Sequence, residues 1–107
     1  MQSVESFDVV DLKNVISGSW IDVETRNHHY LIECLGEHEV RISGHPYYCP
    51  VPSLAEMRGS VGHEGIAFGQ IECGKCLLFL IDKQIPVTTS KILSVHVGQP
   101  DRSGSAR

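Results

Sequence analysis

The stretch Ser19-Trp20-Ile21-Asp22-Val23-Glu24-Thr25, followed after a turn by His29-Tyr30-Leu31-Ile32-Glu33-Cys34-Leu35, decides the fold. Ile21 and Val23 alternate with Asp22 and Glu24, and Tyr30, Ile32 and Cys34 share one face of the second segment. Successive side chains on a strand point to opposite faces, so this period of two marks strands buried on one side. Arg26-Asn27-His28 links them as a hairpin turn. After Gly36 and Glu37, Glu39-Val40-Arg41-Ile42-Ser43 repeats the alternation with Val40 and Ile42 inward. Three such strands with short links make an antiparallel meander.

Outward from the meander the pattern changes. Across residues 45–65, Pro46, Pro50 and Pro52 remove backbone donors and fix φ, which predicts an ordered irregular loop. Within it, Ser53 and Glu56 have the spacing of a capping box and predict one helical turn over residues 54–58, while Gly62-His63-Glu64-Gly65 predicts a turn. Strand character returns over residues 66–72 and 76–81, then over 86–89 and 92–97 after a turn at Asp82-Lys83-Gln84. Towards the amino terminus, Val9, Leu12 and Ile16 stand three and four apart. That spacing predicts a short helix over residues 8–16, stopped by Gly18, which would cover one open end of a barrel.

A chain of 107 residues supports one modest core. The expected organisation is a single small β domain over residues 1–98 and a disordered polar tail over 99–107. Six or seven short strands in so small a chain must pack as two sheets or curl into one. The expected fold class is mainly β, a small, strongly bent antiparallel β-barrel, SH3-like or similar; a two-layer β-sandwich is the alternative.

Thirteen acidic and nine basic side chains are spread along the sequence for a net charge of -4, with no basic stripe to neutralise phosphates. Neither nucleic acid nor a membrane surface is an expected partner. No run approaches the roughly 20 apolar residues that cross a bilayer, and the first residues lack the basic start and apolar stretch of a signal peptide. A cytoplasmic location is therefore expected, and cysteines there are more often thiols or metal ligands than disulfides.

Cys73-Gly74-Lys75-Cys76 is the spacing with most chemical promise. As a two-residue hairpin turn it would set two cysteines opposite each other, close enough to share a metal. A structural zinc takes four ligands, and His45 with Cys49 offers a second pair, so the candidate metal ligands are His45, Cys49, Cys73 and Cys76. The competing reading makes the cysteines small hydrophobes, with Cys34 in the core. No spacing fixes a nucleophile beside a base, and the glycine-rich phosphate-binding patterns are absent. The sequence thus predicts no enzyme, no catalytic residue and no cofactor. It predicts a structural or protein-interaction module, engaging a protein or a second copy of itself as a homodimer, with Trp20, Tyr47 and Tyr48 as candidate anchors. A small zinc-binding domain is the alternative.

Three stretches carry a resemblance: Val23-Glu24-Thr25-Arg26-Asn27-His28-His29-Tyr30, Ile42-Ser43-Gly44-His45-Pro46 leading into Pro50 and Pro52, and Val87-Thr88-Thr89-Ser90-Lys91-Ile92. In these the chain resembles small all-β bacterial proteins of uncharacterised function. The resemblance rests on turn and strand residues. It implies one compact β domain over most of residues 18–97 and no particular substrate or cofactor.

Overall fold

The structure, a computed structural model, describes residues 4–99, so the expectation of a disordered tail falls, apart from Gln99, outside the described residues. The elements in chain order are β1 (Val4–Phe7), β2 (Val9–Asp11), a 3-10 turn (Leu12–Asn14), β3 (Trp20–Thr25), β4 (His29–Cys34), β5 (Glu39–Ser43), β6 (Ser53–Gly62), β7 (Gly65–Phe68), β8 (Gln70–Glu72), β9 (Cys76–Ile81) and β10 (Ile85–Gly98).

The expected meander of β3, β4 and β5 is present, with Ile21 opposite Ile32 and Ile32 opposite Ile42. From it the sheet continues through β6 to β9, from β9 to β10, and from β10 back to β3, antiparallel at every step. The ring closes, so the fold is the small barrel and not the two-layer sandwich. Alternation fills its interior: Ile21, Val23, Tyr30, Ile32, Ile42, Met57, Leu77, Phe79, Ile92 and Val95 are all essentially inaccessible and belong to one apolar cluster. Each such side chain contributes roughly 1.5–3 kcal/mol by leaving water. Tyr30 and Phe79 meet edge to face at 6.0 Å near the centre.

Two long strands turn the corners. β6 pairs with β5 through its first residues and with β7 through its last, while β9 runs along its other edge. β10 pairs with β9 over its first half and with β3 over its second, where β1 lies on the edge opposite β3. Trp20, at the start of β3, rests across Gly98 at the end of β10. A Cβ at residue 98 would run into the indole, so only glycine leaves room for that ring.

Several sequence expectations are corrected here. Residues 8–16 form β2 and a single 3-10 turn in place of a helix. Val10 pairs with Ile71 and is buried, the Asp11 carboxylate accepts the Lys13 N–H and ends the strand, and the Leu12 N–H donates to the Gly69 carbonyl. β-branched Val9 and Val10 favour the strand that β8 completes. Residues 54–58 are strand, not a helical turn, because Ala55 and Met57 alternate inward and pair with Ile81 and Phe79. Residues 66–72 are two strands, β7 and β8, broken at Gly69. The two segments expected at 86–89 and 92–97 are one strand of 14 residues with a register shift between Thr88 and Lys91.

At that shift side chains stand in for the ladder. The buried Thr89 Oγ1 accepts the Leu77 N–H at 2.9 Å and donates to the Ser90 carbonyl at 2.7 Å, while the Ser90 hydroxyl accepts the Asn27 N–H. Thr89→Val keeps the shape and removes the acceptor, leaving a buried N–H without a partner. Urea unfolding is expected to show a loss of about 1–3 kcal/mol, against little change for Thr88→Val on the exposed face. Equal effects at the two positions would contradict the role given to Thr89.

Candidate functional site

The loop from Gly44 to Pro52 closes on itself before β6 begins. The Gly44 N–H donates to the Cys49 carbonyl at 2.9 Å and the Cys49 N–H to the His45 carbonyl at 3.1 Å, so Cys49 is drawn fully inside. Gly44 has φ +132°, and a Cβ there would strike the His29 carbonyl oxygen, so glycine alone lets the loop leave β5 this close to β4. Inside the loop, His45 Nδ1 accepts the N–H of both Tyr47 and Tyr48 at 3.1 Å. The neutral ring therefore carries its proton on Nε2. Burial, and next the neighbouring His28 imidazole, hold the His45 pKa below the usual histidine value.

Ring contacts run inward from this loop. Tyr47 meets Tyr48 at 4.9 Å, Tyr48 meets His45 at 4.8 Å, and His45 meets His28 at 5.0 Å; His28 then meets Tyr30 at 6.2 Å, and Tyr30 reaches Phe79 in the core. Tyr47 is 79% exposed while Tyr30 is buried, so the path spans the barrel wall. His28 owes its place to a tight turn, in which the Thr25 hydroxyl donates to the His28 carbonyl and accepts the His28 N–H. Sequence reading gave His28 no role, since 17 residues separate it from His45 and no periodicity links them. His29 instead pairs with Asp22 on the outer surface.

The Cys73–Cys76 segment is not a hairpin turn. The Lys75 N–H donates to the Glu72 carbonyl at 3.2 Å, which makes residues 72–75 a β-turn with Gly74 at φ +91° in its third position. Cys73 follows β8, whose partner is β2, whereas Cys76 opens β9, whose partners are β6 and β10. The two cysteines thus belong to different ladders. Cys73 Sγ donates to the Phe7 carbonyl at 3.6 Å, and Cys76 lies opposite Val61 and Lys91.

Of the four proposed metal ligands, His45 and Cys49 face each other across the proline-rich loop, and Cys73 and Cys76 flank one turn. The two pairs are not brought into one set: among the described residues no three His, Cys, Asp or Glu side chains are placed to hold a metal ion. All four cysteines are free thiols.

The 72–76 turn does border an open groove of about 770 Å³, closed on its other side by Val61, Gly62, His63 and Glu64. The Lys75 stem crosses Gly62 and its Nζ reaches Glu72 Oε1 at 2.6 Å, so these two charges offset each other. Burial raises the Cys73 thiol pKa, and the carboxylates of Asp8 and Glu72 raise it further. Burial does the same at Cys49, and at Cys34 it pushes the value to about 11. These shifts run opposite to those that activate a thiol nucleophile.

Two measurements check this account. In the native protein at pH 8, iodoacetamide is expected to modify the half-exposed Cys76 and Cys73 before the buried Cys34 and Cys49, with peptide mass mapping as the readout; fast loss of Cys49 would contradict its placement. The second concerns Tyr30, whose hydroxyl is buried with no partner among the described residues and whose pKa burial lifts from 10.0 to about 12. Above pH 10 the unfolded chain gives up this proton before the folded one does, so the associated stability is present below pH 10 and is lost as pH rises towards 12. Tyr30→Phe is expected to leave stability near pH 7 unchanged or slightly higher and to flatten its decline above pH 10, with the raised thiols of Cys34, Cys49 and Cys73 supplying the remaining slope.

Among the described residues no helix is long and apolar enough to cross a membrane. Comparison with known proteins returns no matching family model, no matching curated protein and no matching solved structure, so the functional reading rests on this chain's own side chains and their geometry.

Proposed function

We propose that this barrel is a non-enzymatic protein-interaction module whose partner face is the corner built by the β5–β6 loop. The observation that carries the reading is the bifurcated acceptance at His45 Nδ1, which fixes Tyr47 and Tyr48 together on a loop closed by two backbone hydrogen bonds. Two exposed aromatic rings in mutual contact on an ordered backbone are what an interface anchor requires.

The surroundings support it. Val51 on the same loop, Leu54 at the start of β6 and Leu31 on β4 are exposed. Leu54 lies opposite Arg41 and Leu31 opposite Ser43, so both stand on the outer surface beside β5. Clustered apolar exposure with polar neighbours is the pattern of a protein-binding face. The upward thiol shifts, and the absence among the described residues of any three metal-ligating groups in reach of one another, favour binding over chemistry. Free cysteines fit a reducing compartment such as the cytoplasm.

A photo-crosslinking amino acid at position 47 tests the proposal in cells of the source organism. It is expected to capture a discrete protein that the same probe at position 93, an exposed site on β10, does not capture. Tyr47→Ser with Tyr48→Ser should weaken binding of that protein by roughly tenfold or more. Identical capture at the two positions, or none at 47, would count against the corner as an interface.

A further inference from the structure

A different part of the barrel points to a second partner. β7 pairs with β6 along one edge, and among the described residues no strand covers its other edge. The orientation of its peptide groups is fixed by its neighbours. A Cβ on Gly59 would run into the Ala67 carbonyl oxygen, and the Gly69 N–H donates to the Arg58 carbonyl at 2.8 Å, so Ala67 turns its polar groups towards β6. In an extended strand adjacent residues face opposite ways. Ile66 and Phe68 therefore turn their N–H and C=O groups outward.

Among the described residues only its shortness blunts this edge. Gly65-Ile66-Ala67-Phe68 has no charge, no proline and no inward lysine, which are other devices that blunt an open strand. Ile66 is 43% and Phe68 67% exposed, large side chains left in water on the same strand. The β6–β7 hairpin that carries them is held firmly by a four-pair ladder.

We infer that β7 is the self-association edge of this protein, pairing antiparallel with β7 of a second copy about a two-fold axis through Ala67. The edge is complementary to itself. With the axis at Ala67, Ile66 of each copy stands opposite Phe68 of the other, and the two outward N–H and two outward C=O groups of each strand form four hydrogen bonds with their counterparts. The same register lays each Ile66 beside the other copy's Phe68. A contact of four residues per chain is small, so the dimer is weak and reversible. The inference uses none of the residues of the Tyr47–Tyr48 corner, and either can fail without the other.

Sedimentation equilibrium on the full chain tests it, over concentrations from about 10 µM to about 1 mM. The weight-average mass is expected to rise towards twice the monomer mass. Phe68→Lys, a change at an exposed position, is expected to raise the dissociation constant at least ~10-fold, and Tyr47→Ser to leave it unchanged. Circular dichroism of each variant reports that the barrel is intact. Ala67→Cys places two thiols across a non-hydrogen-bonded pair, where Cα atoms about 4.5 Å apart accept a disulfide. Diamide should then link two chains through position 67, while Leu93→Cys should give no such dimer. A monomer mass at every concentration would leave the edge to a segment of another protein and overturn the inference. So would association unchanged by Phe68→Lys, or linkage at 93 as efficient as at 67.

Discussion

β9 pairs with β6 on one edge and with β10 on the other, and these two ladders turn an open, twisted meander into a closed wall. A sheet of this size left open would expose both an apolar face and two rows of unpaired backbone groups. Closure removes both costs around the ring, and it places Phe79 against Tyr30 of the first hairpin across the interior. The corner strands β6 and β10 make this possible because each is long enough to serve two neighbours in succession. Where β10 changes neighbour the backbone ladder falls out of step, and Thr89 and Ser90 restore the missing hydrogen bonds with their hydroxyls. The same closure leaves β7 outside the ring, attached along one edge, and sets the proline-rich loop at a corner where it has to be stabilised from within.

Much of this architecture is legible in the residues. The period-two alternation of β3, β4 and β5 depends on one buried face per strand, a local property that sequence carries directly. The turns at residues 63–64 and 82–84 are equally local. What could not be read depends on long-range partners. Val9, Leu12 and Ile16 have helical spacing, yet Val10 finds Ile71 more than sixty residues away and becomes strand. Ser53 and Glu56 have the spacing of a capping box, but Ala55 and Met57 are claimed by β9, and local preference yields to burial. Continuity of β10 through residue 90 was hidden because a threonine–serine pair reads as a break when its side chains are not known to replace a ladder.

The candidate site was less legible than the fold. Tyr47 and Tyr48 are visible as aromatics in a polar loop, but the acceptor that fixes them, His45 Nδ1, read as a metal ligand. A histidine beside a cysteine invites that interpretation when the direction of the ring is unknown. The Cys73–Cys76 spacing misled for a related reason: the turn between them is tight, but its two ends leave for different ladders. His28 had no signal at all, because its contact with His45 arises only where the loop folds back over the first hairpin.

The position of β10 in the chain has a consequence for how the protein is made. β10 follows every strand it pairs with, and its partners include β1, β3 and β9. During synthesis the meander can assemble early, but its apolar face remains open until residues 85–98 have left the ribosome. Closure joins segments far apart in sequence, which makes it a slow step by comparison with hairpin formation. Until then the unfinished sheet presents Ile21, Ile32 and Ile42 to solvent, and the nascent chain is the form of this protein most exposed to aggregation and most in need of a chaperone.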